Sequence, residues 1–372
     1  MNTTGNLPGS TTPMSARVPE PPDPSQHGLE WVFVGPHGLR AGWSVLLAYG
    51  LFYFFRMVIG TIFYSAGLVS EQTDLAARSM LTLELVPFLA MLAAGIILAV
   101  LEHRNILDFN LRGPRRMSHF VSGLAAGFAA LSALIGVLNL GGWLHFGSPA
   151  LAGAAILRYA ALWGCAFLLV GCVEEGLFRG YLQFTLTRGL NFWWALAAQA
   201  ALCLYLALHT ANRGAWGVYA IALLGLFPCL ALHQKAAARS AFWQAAWVTS
   251  TFFGLIHTFN RDENWIGVFA AACMGVVFCV SVRVTGSAWW AIGCHAAWDW
   301  TETYFYGTAD SGLPARGHLF TTNPAGNSLL SGGADGPEGS VLVFGAMLLL
   351  LAVLLIFYRQ EPEAAQSYSV AD

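Results

Sequence analysis

Residues 155–188 read "AILRYAALWGCAFLLVGCVEEGLFRGYLQFTLTR", an apolar run interrupted near its middle by Glu174, Glu175 and Arg179. At about 1.5 Å per residue a helix of this length reaches about 50 Å, more than one crossing of a hydrocarbon core about 30 Å thick. The first half therefore reads as a membrane span. The second half, from Glu174 to Arg188, reads as the same helix continuing toward an interface while carrying polar side chains.

Apolar runs of comparable length lie on both sides of it. Candidate spans fall at 42–66, 80–102, 118–140, 155–188, 192–210, 215–232, 242–259, 264–282, 286–306 and 341–358. The expected fold is an all-α, polytopic transmembrane helix bundle of about eight to ten spans. The composition agrees: 56% of the 372 residues are hydrophobic and only 10% charged, against roughly one quarter charged in a soluble domain. A net charge of −2 and the lack of any basic stripe leave no footprint for a nucleic-acid partner. The seven cysteines all lie in apolar runs without a Cys-x-x-Cys pair, which suits small packing residues.

The domain reading follows from these runs. Residues 1–40, with "PEPPDPSQHG" in their middle, form a Pro-, Ser- and Thr-rich tail expected to be disordered. The first apolar run begins only after Arg40, so insertion is expected to rely on a retained span. Residues 41–360 form one membrane domain, with a Gly-rich stretch at 307–340 read as a flexible external loop, a last span at 341–358, and a tail at 361–372. Placing the arginine-rich connection "EHRNILDFNLRGPRRMSH" in the cytoplasm also puts Arg17, Arg40, Arg188, Lys235, Arg239, Arg283 and Arg359 there. Only Arg78, Arg213, Arg261 and Arg316 remain in the opposite loops, so both termini are expected in the cytoplasm.

An ionisable side chain inside a span costs about 3 kcal/mol or more unless it is paired, so those that persist point to function. Glu175 and Arg179 are four apart and share a helix face, whereas Glu174 lies about 100° around the helix without such a partner. A buried polar knot that merely glues helices is the plain alternative, and an unmatched carboxylate suits it poorly. Two further clusters are "FFGLIHTFN", with Phe253 and His257 one turn apart, and "GCHAAWDW", with His295 and Asp299 one turn apart. A lone histidine in a span is more often a core residue bonded to a carbonyl. Together, however, a carboxylate and an imidazole can take a proton from water, while a second imidazole with a polar neighbour can face the developing oxyanion.

The three clusters, Glu174-Glu175-x-x-x-Arg179, Phe253-x-x-x-His257 and His295-x-x-x-Asp299, resemble the marks of the CAAX protease and bacteriocin-processing (CPBP, or ABI) family of intramembrane endopeptidases. The surrounding "EEGLFRGYLQ" and "VTGSAWWAIGCHAAWD" resemble it too, over about residues 155–306. The resemblance implies that Glu174 and His257 activate the attacking water, that Glu175 and Arg179 brace the site, and that His295 and Asp299 face the oxyanion. It also implies a protein or peptide substrate at the bilayer and no cofactor.

Two departures from the family pattern bear on the site. The interval from Glu174 to His257 is roughly twice the usual one, as though a hairpin were inserted between about 192 and 240. His209 in "LCLYLALHTAN" is then a rival for the second motif, with Tyr205 in place of the phenylalanine. His257 is preferred because "HTFN", a Gly-containing span and "TGSAWW" precede His295 in the family order. In addition, Asp299 stands where the prenyl proteases carry asparagine. An ionised aspartate cannot donate to an oxyanion, so Asp299 either is protonated and donates, the preferred reading, or orients His295.

Other readings of the same residues are a zinc peptidase with Glu174, His257, His295 and Asp299 as ligands, a proton-coupled transporter, and a catalytically silent scaffold. The bias toward Ala, Gly and Arg suggests a GC-rich bacterium and hence its cytoplasmic (inner) membrane.

Overall fold

The computed structural model describes residues 30–68 apart from 36 and 37, then 77–189, 192–210, 240–260, 262–312 and 316–358, with isolated positions between 225 and 233. The chain divides into two units, Met1–Arg40 and Ala41–Asp372. In the first, a one-turn helix at Glu30–Phe33 leads into a small hairpin pairing Val34 with Leu39. Most of the expected tail, residues 1–29, lies outside the described residues.

The second unit is built from helices: α1 Ala41–Ser65, α2 Ala77–Leu101, α3 Arg116–Leu140, α4 Ala154–Glu175, α5 Phe192–Thr210, α6 Ser240–Ile256, α7 Trp265–Thr285, α8 Trp289–Asp299 and α9 Val343–Phe357. Among the described residues, five helical stretches are long and apolar enough to cross a membrane: Ala41–Ser65, Ala77–Leu101, Arg116–Leu140, Ala154–Gly189 and Trp265–Thr285. Phe192–Tyr205 and Val343–Phe357 are shorter apolar helices. The expected run at 155–188 is thus one continuous helical stretch, as its length and composition indicated. The expected span at 215–232 falls almost wholly outside the described residues, as do the tail at 361–372 and most of the insertion.

Polar caps mark the ends of α7. The Asn264 side chain accepts from the N–H groups of Ile266 and Gly267 at 2.7 and 3.2 Å, and Gly286 closes the helix with φ 77°. Helices α3 and α8 approach each other closely. Gly127 of α3 lies against the Cys294 carbonyl, and Gly293 of α8 against the Phe120 carbonyl, where any Cβ would collide with backbone. Small residues let two helices approach in this way without a hydrophobic driving force. The result is that α8, which carries His295 and Asp299, is fixed in depth and rotation.

The bundle has two chemically different ends. At one, Arg104 and Arg188 both lie over the Phe184 ring, and the Trp289 indole donates to the Leu111 carbonyl at 2.9 Å. Arg188 therefore sits at the same end as the arginine-rich connection. At the other end is the segment 307–340. Among its described residues it carries regular structure. Strand β2, Phe320–Pro324, pairs antiparallel with β1, Leu144–Pro149. A one-turn helix at Ser328–Ser331 and a 3₁₀ turn at Pro337–Gly339 follow, and Asp335, Pro337 and Ser340 are buried. Glycines counted as flexibility here instead occupy left-handed turns, among them Gly332 at φ 79° and Gly336 at φ 107°.

Candidate active site

Helix α4 delivers Glu174 and Glu175 at its end and then widens into a π-helical turn over Gly176–Leu182. Such turns occur often at functional sites. Glu175 and Arg179 are both fully buried, with Nε–Oε2 3.2 Å and Nη1–Oε1 3.3 Å. The guanidinium lies over the ring of Phe253 at 4.2 Å and closes on Phe278 and Phe178 at 5.4 and 5.6 Å. An ammonium or guanidinium gains attraction from such ring faces when water is excluded. This cage and the carboxylate together account for a full charge pair deep in an apolar bundle.

Phe253 does more than precede His257. Its ring meets His257 at 4.9 Å and His295 at 6.0 Å, edge to face, while its backbone carbonyl accepts from His257 Nδ1 at 2.7 Å. A carbonyl can only accept, so Nδ1 carries the proton and the lone pair of a neutral His257 resides on Nε2. The phenylalanine therefore separates the two histidines, covers Arg179 and sets the His257 tautomer.

His295 is the hub. Its Nδ1 lies 2.9 Å from Glu175 Oε1, and its Nε2 lies 3.5 Å from Asp299 Oδ2 and 3.9 Å from Glu174 Oε2. The Phe278 ring stacks on it at 5.7 Å. Helix α8 widens into a second π-helical turn, Trp300–Tyr306, directly after Asp299. Both motif helices thus leave α geometry at the residue after their carboxylate, a feature with no signature in the motifs themselves.

Glu174, Phe253, His257, His295 and Asp299 line one cavity of about 260 Å³. His209 lies in α5, and its side chain is outside the described residues. The cavity also presents Glu84, Thr303, Asp310, Ser311 and Glu338, none of which motif reading singled out. Glu84 sits in an apolar span and could have been found by the same filter that found Glu174. Asp310, Ser311 and Glu338 come from the 307–340 segment, where no periodicity flags them. Around this mouth acids crowd together. Burial and the nearby Glu338 push the Asp310 carboxyl up to about 7, and burial and Asp335 push Glu263 up to about 9.

Among the described residues, the acids and histidines whose ligand atoms all fall within 4.8 Å of one another are Glu302, Asp310 and Glu338. The set weighed for zinc, Glu174, His257, His295 and Asp299, is not so grouped.

A helical membrane protein with a glutamate, two histidines and an aspartate from its three motifs converging on one cavity is the class that fold and site define. Residues 155–236 and 230–301 match the family model for type II CAAX prenyl endopeptidases, Rce1-like. The matched stretch contains all three motifs and is similar to the family they resemble. The two matched pieces meet at 230–236, within the stretch read as an insertion. No curated protein and no solved structure matches the chain.

Proposed function

We propose that the chain is an intramembrane endopeptidase that hydrolyses peptide bonds of membrane-associated proteins or peptides with a water activated by Glu174 and His257, without a catalytic metal. The observation that carries this reading is the convergence of the three motifs on one cavity, with a partly exposed Glu174 facing it. Water held there loses its proton to the Glu174–His257 pair as its oxygen adds to the scissile carbonyl. The carbon–nitrogen bond then breaks, and the same proton passes to the leaving amine.

His295 supplies the oxyanion contact. Its Nδ1 proton is held by Glu175, while the 3.5 and 3.9 Å separations at Nε2 are longer than a charge-assisted hydrogen bond of about 2.8 Å. With His295 protonated on both nitrogens, the Nε2 proton is then left for a third acceptor, the developing oxyanion. At 3.5 Å Asp299 does not take that proton, and we read it as orienting His295 by its charge, with the protonated donor preferred from sequence as the alternative. Asp299→Asn should then lose much of its activity, with the same loss across the pH–rate profile. An asparagine variant as active as wild type would restore the donor role.

The cavity lies toward the 307–340 end, away from the arginine-rich connection. With that connection in the cytoplasm of a bacterial inner membrane, substrates enter from the opposite side. The direct test is cleavage by the purified protein of peptides taken from membranes that lack it. Activity should persist with a zinc-selective chelator, vanish in His257→Ala and survive in His209→Ala. Loss on chelation with recovery by zinc would replace the metal-free mechanism, and the opposite histidine pattern would move the second motif to His209.

A further inference from the structure

Beside the cavity lies a second group of acids that peptide hydrolysis does not use. Glu302, in the π-helical turn after α8, is fully buried, and neither of its carboxylate oxygens has a hydrogen-bond partner. Its backbone carbonyl accepts both the N–H and the hydroxyl of Thr308, each at 3.0 Å, so the segment leaving α8 is held against it. The oxygens of Glu302, Asp310 and Glu338 all come within 4.8 Å of one another. Three carboxylates gathered this closely, one of them fully buried and wholly unpartnered, repel one another unless something positive lies among them.

We propose that Glu302, Asp310 and Glu338 bind a hard divalent cation, calcium by preference, that ties the 307–340 segment to the end of α8 at the mouth of the cavity. The donor set is oxygen only, which suits calcium or magnesium and not the softer metals. An ion about 2.4 Å from each ligand accommodates oxygens up to about 4.8 Å apart, the calcium range, whereas magnesium needs about 2.1 Å and a stricter octahedron.

The side chains are also held in place from behind. Glu338 accepts from the Trp298 indole at 2.8 Å and from the Ser311 hydroxyl at 3.0 Å, and Asp310 accepts from Thr303 at 3.0 Å. Each of these oxygens keeps a second lone pair, and such outer contacts orient ligands for a metal.

Terbium, a luminescent stand-in for calcium, tests this on the full chain purified in detergent and stripped with a general chelator. Bound at Glu338, it would sit next to the Trp298 indole and emit on tryptophan excitation. The emission should saturate, be displaced by calcium at lower concentration than by magnesium, and calcium should raise the thermal midpoint by several degrees. Glu302→Gln should weaken binding at least about tenfold, with Asp310→Asn as the second variant if the first does not insert. Glu174→Gln should bind terbium like wild type. Because none of these readouts requires cleavage, the site and the peptidase reading can fail separately. Non-saturable emission, unchanged binding in both ligand variants, or loss in Glu174→Gln alone would overturn the proposal. A thermal midpoint indifferent to calcium but raised by Glu302→Gln would do so too, showing acids that share protons in place of an ion.

Discussion

Glu174→Gln is expected to abolish peptide cleavage while the protein remains inserted and folded. The Glu174 carboxylate approaches His295 only to 3.9 Å, its side chain is 31% exposed, and it has no arginine of its own. Removing its charge therefore takes little from the fold, unlike the same change at Glu175, which is fully buried and shared between Arg179 and His295. Loss of a general base typically lowers turnover 100-fold to 10,000-fold. Cleavage rates of the purified variant, with its thermal midpoint beside wild type, check both halves. Turnover above roughly a tenth of wild type would take Glu174 out of the base role, since it falls far short of that range.

Arg179→Ala should act in the opposite order, on the fold first and on activity through it. The substitution leaves Glu175, at zero exposure, without its arginine and with only His295 as a partner, and empties the space under Phe253 and Phe278. Breaking a buried pair by removing one partner costs about 3–5 kcal/mol, whereas an exposed pair contributes about 0–1 kcal/mol. The expected outcome is a low yield of inserted protein and a clearly reduced thermal midpoint. Removing both charges, in Arg179→Met with Glu175→Gln, should restore much of the midpoint without restoring cleavage, because a neutral amide then replaces the carboxylate that faces His295 Nδ1. A stable Arg179→Ala protein would show that the pair does not brace the site.

The contrast between these two glutamates shows how far neighbouring residues in one motif can differ. They are adjacent in sequence and about 100° apart on the helix. One turns toward Arg179 in the bundle interior and the other toward the cavity. The i, i+4 spacing of Glu175 and Arg179 already indicated the pairing, because that relation is local to one helix. That Glu175 also holds His295, 120 positions away, is a relation between helices and has no local signal.

Taken by itself, the sequence determined the solvent and the chemistry of this protein. Long apolar runs set the membrane class, and the few charges that interrupt them singled out Glu174, Glu175, Arg179, His295 and Asp299, because an unpaired charge in hydrocarbon is too costly to persist without use. Helix boundaries were legible wherever composition changed sharply, as at Ala77–Leu101 and Arg116–Leu140. Only the tertiary structure decided what depends on contacts between distant segments. It made His295 the hub between both glutamates and Asp299, and it placed Phe253 between two histidines and an arginine. It also folded the glycine-rich 307–340 segment onto β1 and brought Asp310 and Glu338 to Glu302. Glycines that look like slack in a sequence become fixed turns once neighbouring strands and helices supply the hydrogen bonds. No reading along the chain can supply those neighbours.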